Sequence, residues 1–302
     1  MLNSLQHSTA PSFEQLNFQS ALSVMSNKNL QFETAKQSPA RKSSLTFVPG
    51  NATLKVSIIT VTYNAERFLQ DCIYSVVKQR YSNIEHIIVD GNSTDNTIHI
   101  INSNKQHITK WISEADRGMY DAINKGMAMA TGDIIGILNS DDMLQDENVI
   151  AQIVDTFHRN DVGAVYGDLE YVSSNNSNKI LRTWKGKDFK RSRFNQGWMP
   201  AHPTFYVKRS LIEEFGGYEN HYYTAADYEF MARYLYKHNV NAQYLPKLIV
   251  KMRAGGQSNK TIYARIRANR RDFLAMRKNN IPYAFLVSIL KPLSKIHQFY
   301  KM

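Results

Sequence analysis

The chain has 302 residues, of which 43% are hydrophobic, and it carries a formal net charge of +11 at pH 7. This hydrophobic content supports a packed core and argues against a disordered chain. The one cysteine, Cys72, excludes an internal disulfide framework and a cysteine-rich zinc cluster, which fits a reducing compartment. The longest apolar run, AFLVSIL at 284–290, is far shorter than the ~20 residues that span a bilayer.

The charge is distributed unevenly along the chain. Residues 1–178 carry 13 Lys and Arg against 19 Asp and Glu, whereas residues 179–302 carry 24 against 7. An acidic first part is a poor surface for nucleic acid, and no zinc-finger, RNP-type or basic-zipper pattern occurs. We therefore expect no nucleic-acid partner. The basic part faces an anionic membrane, a phosphate-bearing substrate or solvent alone.

Strand and helix patterns alternate along the first half of the chain. Residues 1–54 are rich in Ser, Asn and Gln and predict a flexible polar arm. Buried strands are predicted at KVSIITV (55–61), IEHIIVD (84–90), TKWIS (109–113) and DIIGIL (133–138). Helices are predicted between them at ERFLQDCIYSVVKQ, STDNTIHIINS and MYDAINKGMAMATG. Because parallel neighbours need crossover connections, this order predicts an α/β fold with a mostly parallel sheet and helices on both faces.

The second half shows a less regular pattern. GAVYGDLEYV and NKILRTWKG predict an antiparallel pair joined by SSNNSN. We expect a strand at HPTFYVK (202–208), a helix at 227–238 and one or two strands at 242–253. A basic helix is predicted over 260–279.

Polar residues follow each of the first four predicted strands. They are TYN, DGNSTD, EADRG and NSDD, in chain order. Ligands of such sheets bind outside the carboxyl ends of the strands. Four polar loops at one edge therefore predict a site for a polar, charged ligand.

The adjacent carboxylates of Asp141 and Asp142 are the most informative part of this edge. Successive side chains of a strand point to opposite faces, so both hold one ion only if the chain turns sharply. One carboxylate can bind a hard cation while the other accepts hydrogen bonds, for instance from a ribose. The alternative is a turn in which Asp caps a helix. We favour the functional interpretation because Asp146 already suits the cap before ENVIAQIVDTF.

Five blocks of this chain together resemble a known family. They are VSIITVTYN, IIVDGNSTDNT, EADRGMYDAINKGMAMATGD, ILNSDD and AADYEFMARY. In this order they resemble family 2 glycosyltransferases of the GT-A fold, particularly bacterial enzymes that build capsule, O-antigen or colanic-acid-like polysaccharides. The resemblance implies a Rossmann-like nucleotide-sugar transferase domain at 55–255. Its nucleotide-binding half is 55–145 and its acceptor half 146–255, followed by a basic amphipathic helical tail at 256–302.

The resemblance also implies the roles of residues in the nucleotide-binding half. Tyr63 resembles the residue that lies near the nucleotide base, and Asp90 resembles the carboxylate that reads the uracil imide. Arg117 matches a basic residue that helps to hold the diphosphate.

The resemblance places the metal site at the acidic pair. Asp142 resembles the metal ligand, and Asp141 a contact of the nucleoside. The implied cofactor is Mg²⁺ or Mn²⁺, which suits oxygen ligands. Asn139 stands where a strict Asp-any-Asp motif has its first Asp, so the strictness of the metal requirement stays open.

The acceptor half contains the implied catalytic base, Asp227. In an inverting transfer this carboxylate takes the proton of the acceptor hydroxyl. The alternative is a capping box in TAAD, with Thr224 as N-cap, and the two roles are compatible because a helix start is a rigid mount. Many family members have Glu-Asp here, whereas this chain has Ala226 and Asp227. We expect His202 to line the acceptor side without proton chemistry.

The sequence therefore predicts a glycosyltransferase of the hexosyl or N-acetylhexosaminyl type. Its donor would be a nucleotide-diphosphate sugar, UDP-linked, and its acceptor a lipid-linked or growing saccharide. We expect a cytoplasmic enzyme, peripheral on the inner face of the plasma membrane. A dinucleotide-dependent oxidoreductase and a sugar-nucleotide pyrophosphorylase are excluded because the turn TYNAERF has no glycine. A non-catalytic glycan-binding or scaffold protein on a degenerate transferase fold remains the alternative.

Overall fold

The computed structural model describes residues 53–255 and 262–290 of the chain. Nearly all of the predicted arm (1–54) lies outside the described residues. So do residues 256–261 and 291–302 of the predicted basic tail. Among the described helices, none combines the length and apolar character needed to cross a membrane.

Nine strands form one sheet in the described part of the chain. They are β1 (Val56–Thr62), β2 (Ile84–Asp90), β3 (Lys110–Ser113), β4 (Ile134–Ile137), β5 (Met143–Leu144), β6 (Ala164–Ser173), β7 (Asn176–Trp184), β8 (Tyr206–Lys208) and β9 (Ala242–Arg253). The order is β3-β2-β1-β4-β8-β6-β9-β5, and β7 pairs with β6. Strands β1 to β4 are parallel to one another, as is β9 to β6, whereas β8 is antiparallel to both of its neighbours. The sheet is thus mostly parallel, as predicted.

Eight helices accompany the sheet in the described residues. They are α1 (Leu69–Val77), α2 (Thr97–Ser103), α3 (Met119–Met129), α4 (Val149–Arg159), α5 (Arg209–Phe215), α6 (Ala226–Met231), α7 (Ile262–Lys278) and α8 (Ala284–Leu290). Helix α6 continues as a π-helical turn over Ala232–Lys237. The alternation of helix and strand up to β4 agrees with the pattern predicted from the sequence.

The two faces of β1 pack against different helices. Ile58 belongs to a buried cluster with Cys72 of α1 and Val154 of α4. Ile59, the next residue, points to the opposite face, where α3 crosses the sheet. A Cβ on Gly126 of α3 would lie 2.3 Å from Cγ2 of Ile59, so only glycine permits this close approach. Helices therefore cover both faces, and α3 lies directly on the strand that leads into the polar edge.

The prediction of one or two strands at 242–253 is confirmed, because these residues form one continuous strand, β9. Two other local predictions were wrong in detail. The segment 202–208 is a 3₁₀ turn, His202–Thr204, followed by the short β8, because Pro203 has no N–H to give to a strand ladder. Helix α4 has Asn148 at its N-cap, and Asp146 instead accepts the N–H of Asn148 at 2.8 Å.

Candidate functional site

The carboxyl ends of β1 to β4 lie at one edge of the sheet, and hydrogen bonds join their loops. The backbone N–H of Asn64 donates to Oγ of Ser93 at 2.8 Å, and the N–H of Thr94 donates to Oδ1 of Asn64 at 2.9 Å. Asn64 has a positive φ of 48°, a conformation that asparagine tolerates better than most residues. The first two loops thus form one connected rim.

Tyr63 and Asp116 face each other across Gly91. The Tyr63 side chain is 65% exposed. A Cβ on Gly91 would lie 3.4 Å from the Tyr63 ring and 3.0 Å from Oδ2 of Asp116. Burial raises the pKa of Asp116, although its ion pair with Lys125 opposes this shift. An aromatic ring and a largely buried carboxylate therefore border the same space beside the end of β2.

Asp90 is fully buried at the end of β2. Its Oδ2 accepts the N–H of Ser93 at 2.9 Å and the hydroxyl of Ser113 at 2.7 Å, and its Oδ1 accepts the hydroxyl of Ser93. The carboxylate thus ties the ends of β2 and β3 together. Its predicted contact with a nucleotide base stays a prediction.

Arg117 lies at the start of α3 with an 85% exposed side chain. Its guanidinium donates to Oδ1 of Asp121 at 3.0 Å, and its backbone N–H donates to Oδ2 at 3.1 Å. Asn220 donates to the same Oδ1 at 3.1 Å. Burial favours a higher pKa for Asp121, but the hydrogen bonds from Arg117 outweigh it and lower the pKa. Asp121 therefore links Arg117 to the segment that precedes α6.

The acidic pair lies in a tight turn after β4. The N–H of Asp142 donates to the carbonyl of Asn139 at 3.0 Å, so Asn139–Asp142 form a hydrogen-bonded turn. Asp142 is fully buried, and its Oδ2 accepts Nδ2 of Asn139 at 3.1 Å. Arg253 holds the turn from β9 by donating to the carbonyl of Asp141 at 3.0 Å. The interpretation of this segment as a turn and its interpretation as a candidate site are therefore compatible.

Two oxygens of this turn fit a hard cation. Oδ1 of Asp142 and Oδ1 of Asn139 are buried without a hydrogen-bond partner among the described residues. Burial raises the pKa of Asp142, and the charge of Asp141 raises it further. Carboxylate and amide oxygens suit Mg²⁺ or Mn²⁺. In the described ranges no three His, Cys, Asp or Glu side chains form a metal cluster, so phosphate or water must complete such a site.

Asp227 is the second residue of α6 and is partly exposed. Its Oδ1 accepts the N–H of Tyr228 at 2.7 Å. The predicted capping box is absent: Ala225 is the N-cap and brings no side-chain bond. Thr224 lies inside the 3₁₀ turn Asn220–Ala225, after a backbone kink at Tyr223 with a φ of 45°.

Buried aromatic residues surround Asp227. Burial raises the pKa of Tyr120, and the charge of Asp227 raises it further. The Tyr120 ring stacks on Tyr218 with ring centroids 5.3 Å apart. Nε2 of His202 and the hydroxyl of Tyr218 are 2.6 Å apart. Burial lowers the pKa of His202 against the opposing charge of Asp227, which favours the neutral imidazole.

Tyr171 on β6 feels the charges of both predicted acidic groups. Burial raises its pKa, and the charges of Asp142 and Asp227 raise it further. Val172, the next residue, pairs with Arg253, which bonds the acidic turn.

Sequence reasoning missed Asp116, Tyr120 and Asp121. All three belong to the block EADRGMYDAINKG, which supported the resemblance but was used only for Arg117. The available signal was the number of polar residues around the start of α3. The partners Tyr218 of Tyr120 and Asn220 of Asp121 could not be inferred because they lie about 100 positions away in the chain.

Residues 57–216 match the family model described as Glycosyl transferase family 2. An uncharacterized glycosyltransferase of Mycobacterium tuberculosis is 33% identical over 181 residues, which cover 59% of this chain and 68% of that protein.

Solved structures of two other proteins share the fold. Residues 1–349 of S. aureus TarS in complex with UDP-GlcNAc superpose with a TM-score of 0.56 and 17% identity, covering 77% of this chain and 73% of that one. The mannosyltransferase PcManGT of Pyrobaculum calidifontis in complex with GDP-Man and Mn²⁺ has a TM-score of 0.54 and 20% identity, covering 93% and 76%. These likenesses show the predicted GT-A fold.

Proposed function

Because this chain belongs to glycosyl transferase family 2, we propose that it transfers a sugar, hexosyl or N-acetylhexosaminyl, from a UDP-linked donor to a saccharide acceptor. The observation that most supports this proposal is Oδ1 of Asp142, which is buried and has no hydrogen-bond partner among the described residues. It lies in a turn at the carboxyl edge of four parallel strands. A buried carboxylate oxygen without a partner is costly unless a ligand satisfies it. The UDP-GlcNAc complex of TarS supports a nucleotide-sugar donor by analogy of fold.

On this proposal the nucleoside lies along the rim formed by the first two loops. Tyr63 offers an exposed ring to the base, and Asp141 accepts hydrogen bonds from the ribose. Asp90 contacts the base edge or orders the loop that does so. Arg117 breaks its ion pair with Asp121 and pairs with the diphosphate instead. The 85% exposure of the Arg117 side chain allows this movement.

Asp142 and Asn139 would hold the divalent cation, which supplies positive charge against the diphosphate of the donor. The Mn²⁺ in the PcManGT complex supports this part of the proposal. Asn139 stands where the Asp-any-Asp motif has its first Asp. This replacement is compatible with cation binding, because an amide oxygen is also a hard ligand.

The proposed transfer is an inverting displacement. The acceptor hydroxyl oxygen forms a bond to the anomeric carbon as the bond from that carbon to the phosphate oxygen breaks. The nucleoside diphosphate leaves with the electron pair, and Asp227 takes the hydroxyl proton. The partial exposure of Asp227 supports this role because an acceptor must reach it.

We place the enzyme on the inner face of the plasma membrane, with a lipid-linked or growing cell-surface polysaccharide as acceptor. Residues 256–302 carry ten Lys and Arg against one Asp. Tyr283, Phe285 and Leu286 at the start of α8 are 79%, 69% and 55% exposed. Basic charge beside exposed apolar side chains suits an anionic bilayer surface. The division into a nucleotide-binding half at 55–145, an acceptor half at 146–255 and a basic tail at 256–302 belongs to the same proposal.

Calorimetric titration with UDP, with and without Mn²⁺, tests the donor site. We expect Mn²⁺-dependent binding that weakens at least about tenfold in Asp142→Ala, since the cation loses its buried carboxylate. The matched control is Asp161→Ala, which removes a fully exposed carboxylate. If the intact protein binds none of UDP, GDP and dTDP, the result would contradict the proposal and favour a non-catalytic glycan-binding protein.

A further inference from the structure

Tyr223 has a backbone conformation that is unfavourable for any residue with a side chain. Its φ is 45° and its ψ is −118°, a combination outside the left-handed helical region that asparagine also tolerates. Glycine adopts this conformation at little cost, whereas a Cβ strains it. Burial does not offset the strain, because Tyr223 stays 58% exposed. The ring is therefore better explained by a molecule that binds to it than by the stability of the fold.

The exposed ring is held in place by the carboxyl-terminal helix α7. The guanidinium of Arg271 lies over the ring, 4.3 Å from its centroid. Lys278 of the same helix forms an ion pair with Glu219, which precedes the turn that contains Tyr223. The contacts at both positions fix the orientation of the ring before anything binds. A restrained side chain loses less conformational entropy when a ligand stacks on it.

The turn that contains Tyr223 connects the proposed donor site to the proposed base. The carbonyl of Tyr223 accepts the N–H of Ala226, the residue directly before the base. Such a bond across three residues keeps the two Cα atoms within about 7 Å. At the start of the same turn, Asn220 donates to Asp121 at 3.1 Å, and Asp121 also bonds Arg117, the proposed ligand of the diphosphate. An acceptor whose hydroxyl reaches the base therefore brings its nearest sugar rings beside Tyr223.

A sugar ring suits this surface better than an apolar chain does. The face of an aromatic ring is electron-rich, and it attracts the C–H groups on the less polar face of a pyranose. The hydroxyl groups at the edge of the sugar stay free, so one of them can meet the base. An acyl chain or an apolar peptide would need a wider apolar surface, whereas the neighbours His221 and Thr224 are polar and exposed.

We propose that the ring of Tyr223 is a stacking platform for a sugar ring of the acceptor. The proposal rests on the proposed function in one respect, namely that the acceptor is a saccharide. Tyr223 and Arg271 both lie outside residues 57–216, which match the family model. The contact is thus a property of this chain and contributes to its choice of acceptor.

Three variants separate the ring from the rest of the residue. Tyr223→Gly removes the ring and relieves the strain, and Tyr223→Phe keeps the ring and removes only the hydroxyl. The matched control is Tyr74→Ala on α1. It removes the ring of another exposed tyrosine, 54% exposed, which also has a cation over its face, Nζ of Lys78 at 4.2 Å from the centroid.

Thermal unfolding tests whether the ring supports the fold. We expect the midpoint of Tyr223→Gly to stay within about 2 °C of that of the intact protein or to rise. The relieved strain offsets the greater freedom of glycine in the unfolded chain. A larger fall of the midpoint would show that the ring has a structural role and would contradict the proposal.

Saturation-transfer NMR tests the stacking itself. The probes are the methyl glycosides of glucose, galactose, mannose, rhamnose and N-acetylglucosamine, each with UDP and Mn²⁺ present. We expect at least one glycoside to receive saturation from the intact protein. The transfer should fall at least about fivefold in Tyr223→Gly and persist in Tyr223→Phe and Tyr74→Ala. Transfer retained in Tyr223→Gly, an equal loss in Tyr74→Ala, or no transfer to any glycoside from the intact protein would overturn the proposal.

Calorimetric titration with UDP distinguishes this proposal from the proposed function. Tyr223→Gly should bind UDP as the intact protein does, because the ring contacts only the acceptor. Weaker UDP binding in Tyr223→Gly would place the ring on the donor side and refute the stacking role, as would a loss of binding to anionic vesicles, which would assign the ring to a membrane surface. An intact protein that binds a glycoside through Tyr223 but no UDP would refute the proposed transfer and still support the stacking contact.

Discussion

At the scale of single residues, Glu85 shows how β2 is anchored at the end opposite the site. Its carboxylate is buried and accepts the hydroxyl of Ser57 at 2.6 Å and the N–H of Thr131 at 2.7 Å. Lys110 pairs with it at 3.0 Å. Burial alone would raise the pKa of Glu85, but these bonds outweigh it and lower the pKa to about 2.

This shift predicts a pH-dependent contribution to stability. Because the pKa of Glu85 is lower in the folded state, its contribution is full above the usual value of 4.5 and is lost as pH falls toward 2. Glu85→Gln should lower the free energy of unfolding by about 3 kcal/mol at pH 7 and by little near pH 2. Urea unfolding at both pH values measures this difference.

The control is Glu147→Gln, which breaks an exposed ion pair with Arg80 and should cost under about 0.5 kcal/mol. Burial lowers the pKa of His86 to about 4, so protonation of the unfolded chain below pH 6.5 destabilises all three proteins alike. A Glu85→Gln effect that is equal at pH 7 and pH 2 would contradict the assignment.

At the scale of elements, α3 is the helix that organises the site. Arg117 lies two residues before its first residue, Tyr120 lies in its first turn, and Gly126 packs it against β1. The branched side chain of Ile59 below Gly126 cannot turn away easily. The position of α3 is therefore determined by a close contact about two turns from its functional end.

Gly126→Ala should displace α3. The added Cβ would lie 2.3 Å from Cγ2 of Ile59, so the helix must shift although alanine is the better helix former. We expect the free energy of unfolding to fall by about 1–3 kcal/mol and UDP binding to weaken. The double variant Gly126→Ala with Ile59→Ala should recover UDP binding, since the clash is relieved. Absence of recovery would show that the contact does not position the site.

At the scale of the whole molecule, charge and exposed apolar surface coincide at the carboxyl-terminal helices. The apolar side chains of Phe285 and Leu286 point outward, whereas Ala284 and Val287 of the same helix are buried. The sequence around them is strongly basic. This arrangement supports the proposed attachment to an anionic bilayer.

Vesicle sedimentation tests this attachment. We expect binding to vesicles of anionic and neutral phospholipid that weakens with salt and falls at least about fivefold in Phe285→Ser with Leu286→Ser. The control is Ile180→Ser on β7, which removes a 51% exposed apolar side chain elsewhere. Failure to bind anionic vesicles at low salt, or dimerisation lost in the double variant, would show that another surface covers these residues.

The sequence alone determined the elements of the first half and the family. Apolar runs and helical spacing are local properties, so β1 to β4 and α1 to α3 were predicted within a few residues. Parallel order then implied that Tyr63, Asp90, Arg117 and Asp141 lie near one edge, because parallel strands end on the same side.

Only the tertiary structure decided which partners these residues have. The burial of Asp90 and Asp142, the position of Asp116 beside Gly91, and the stacking of Tyr120 on Tyr218 depend on segments far apart in the chain. The capping box failed for the same reason: Thr224 has the right spacing, but the kink at Tyr223 moves it out of position. Local pattern selects elements, whereas packing between them assigns each polar group its partner.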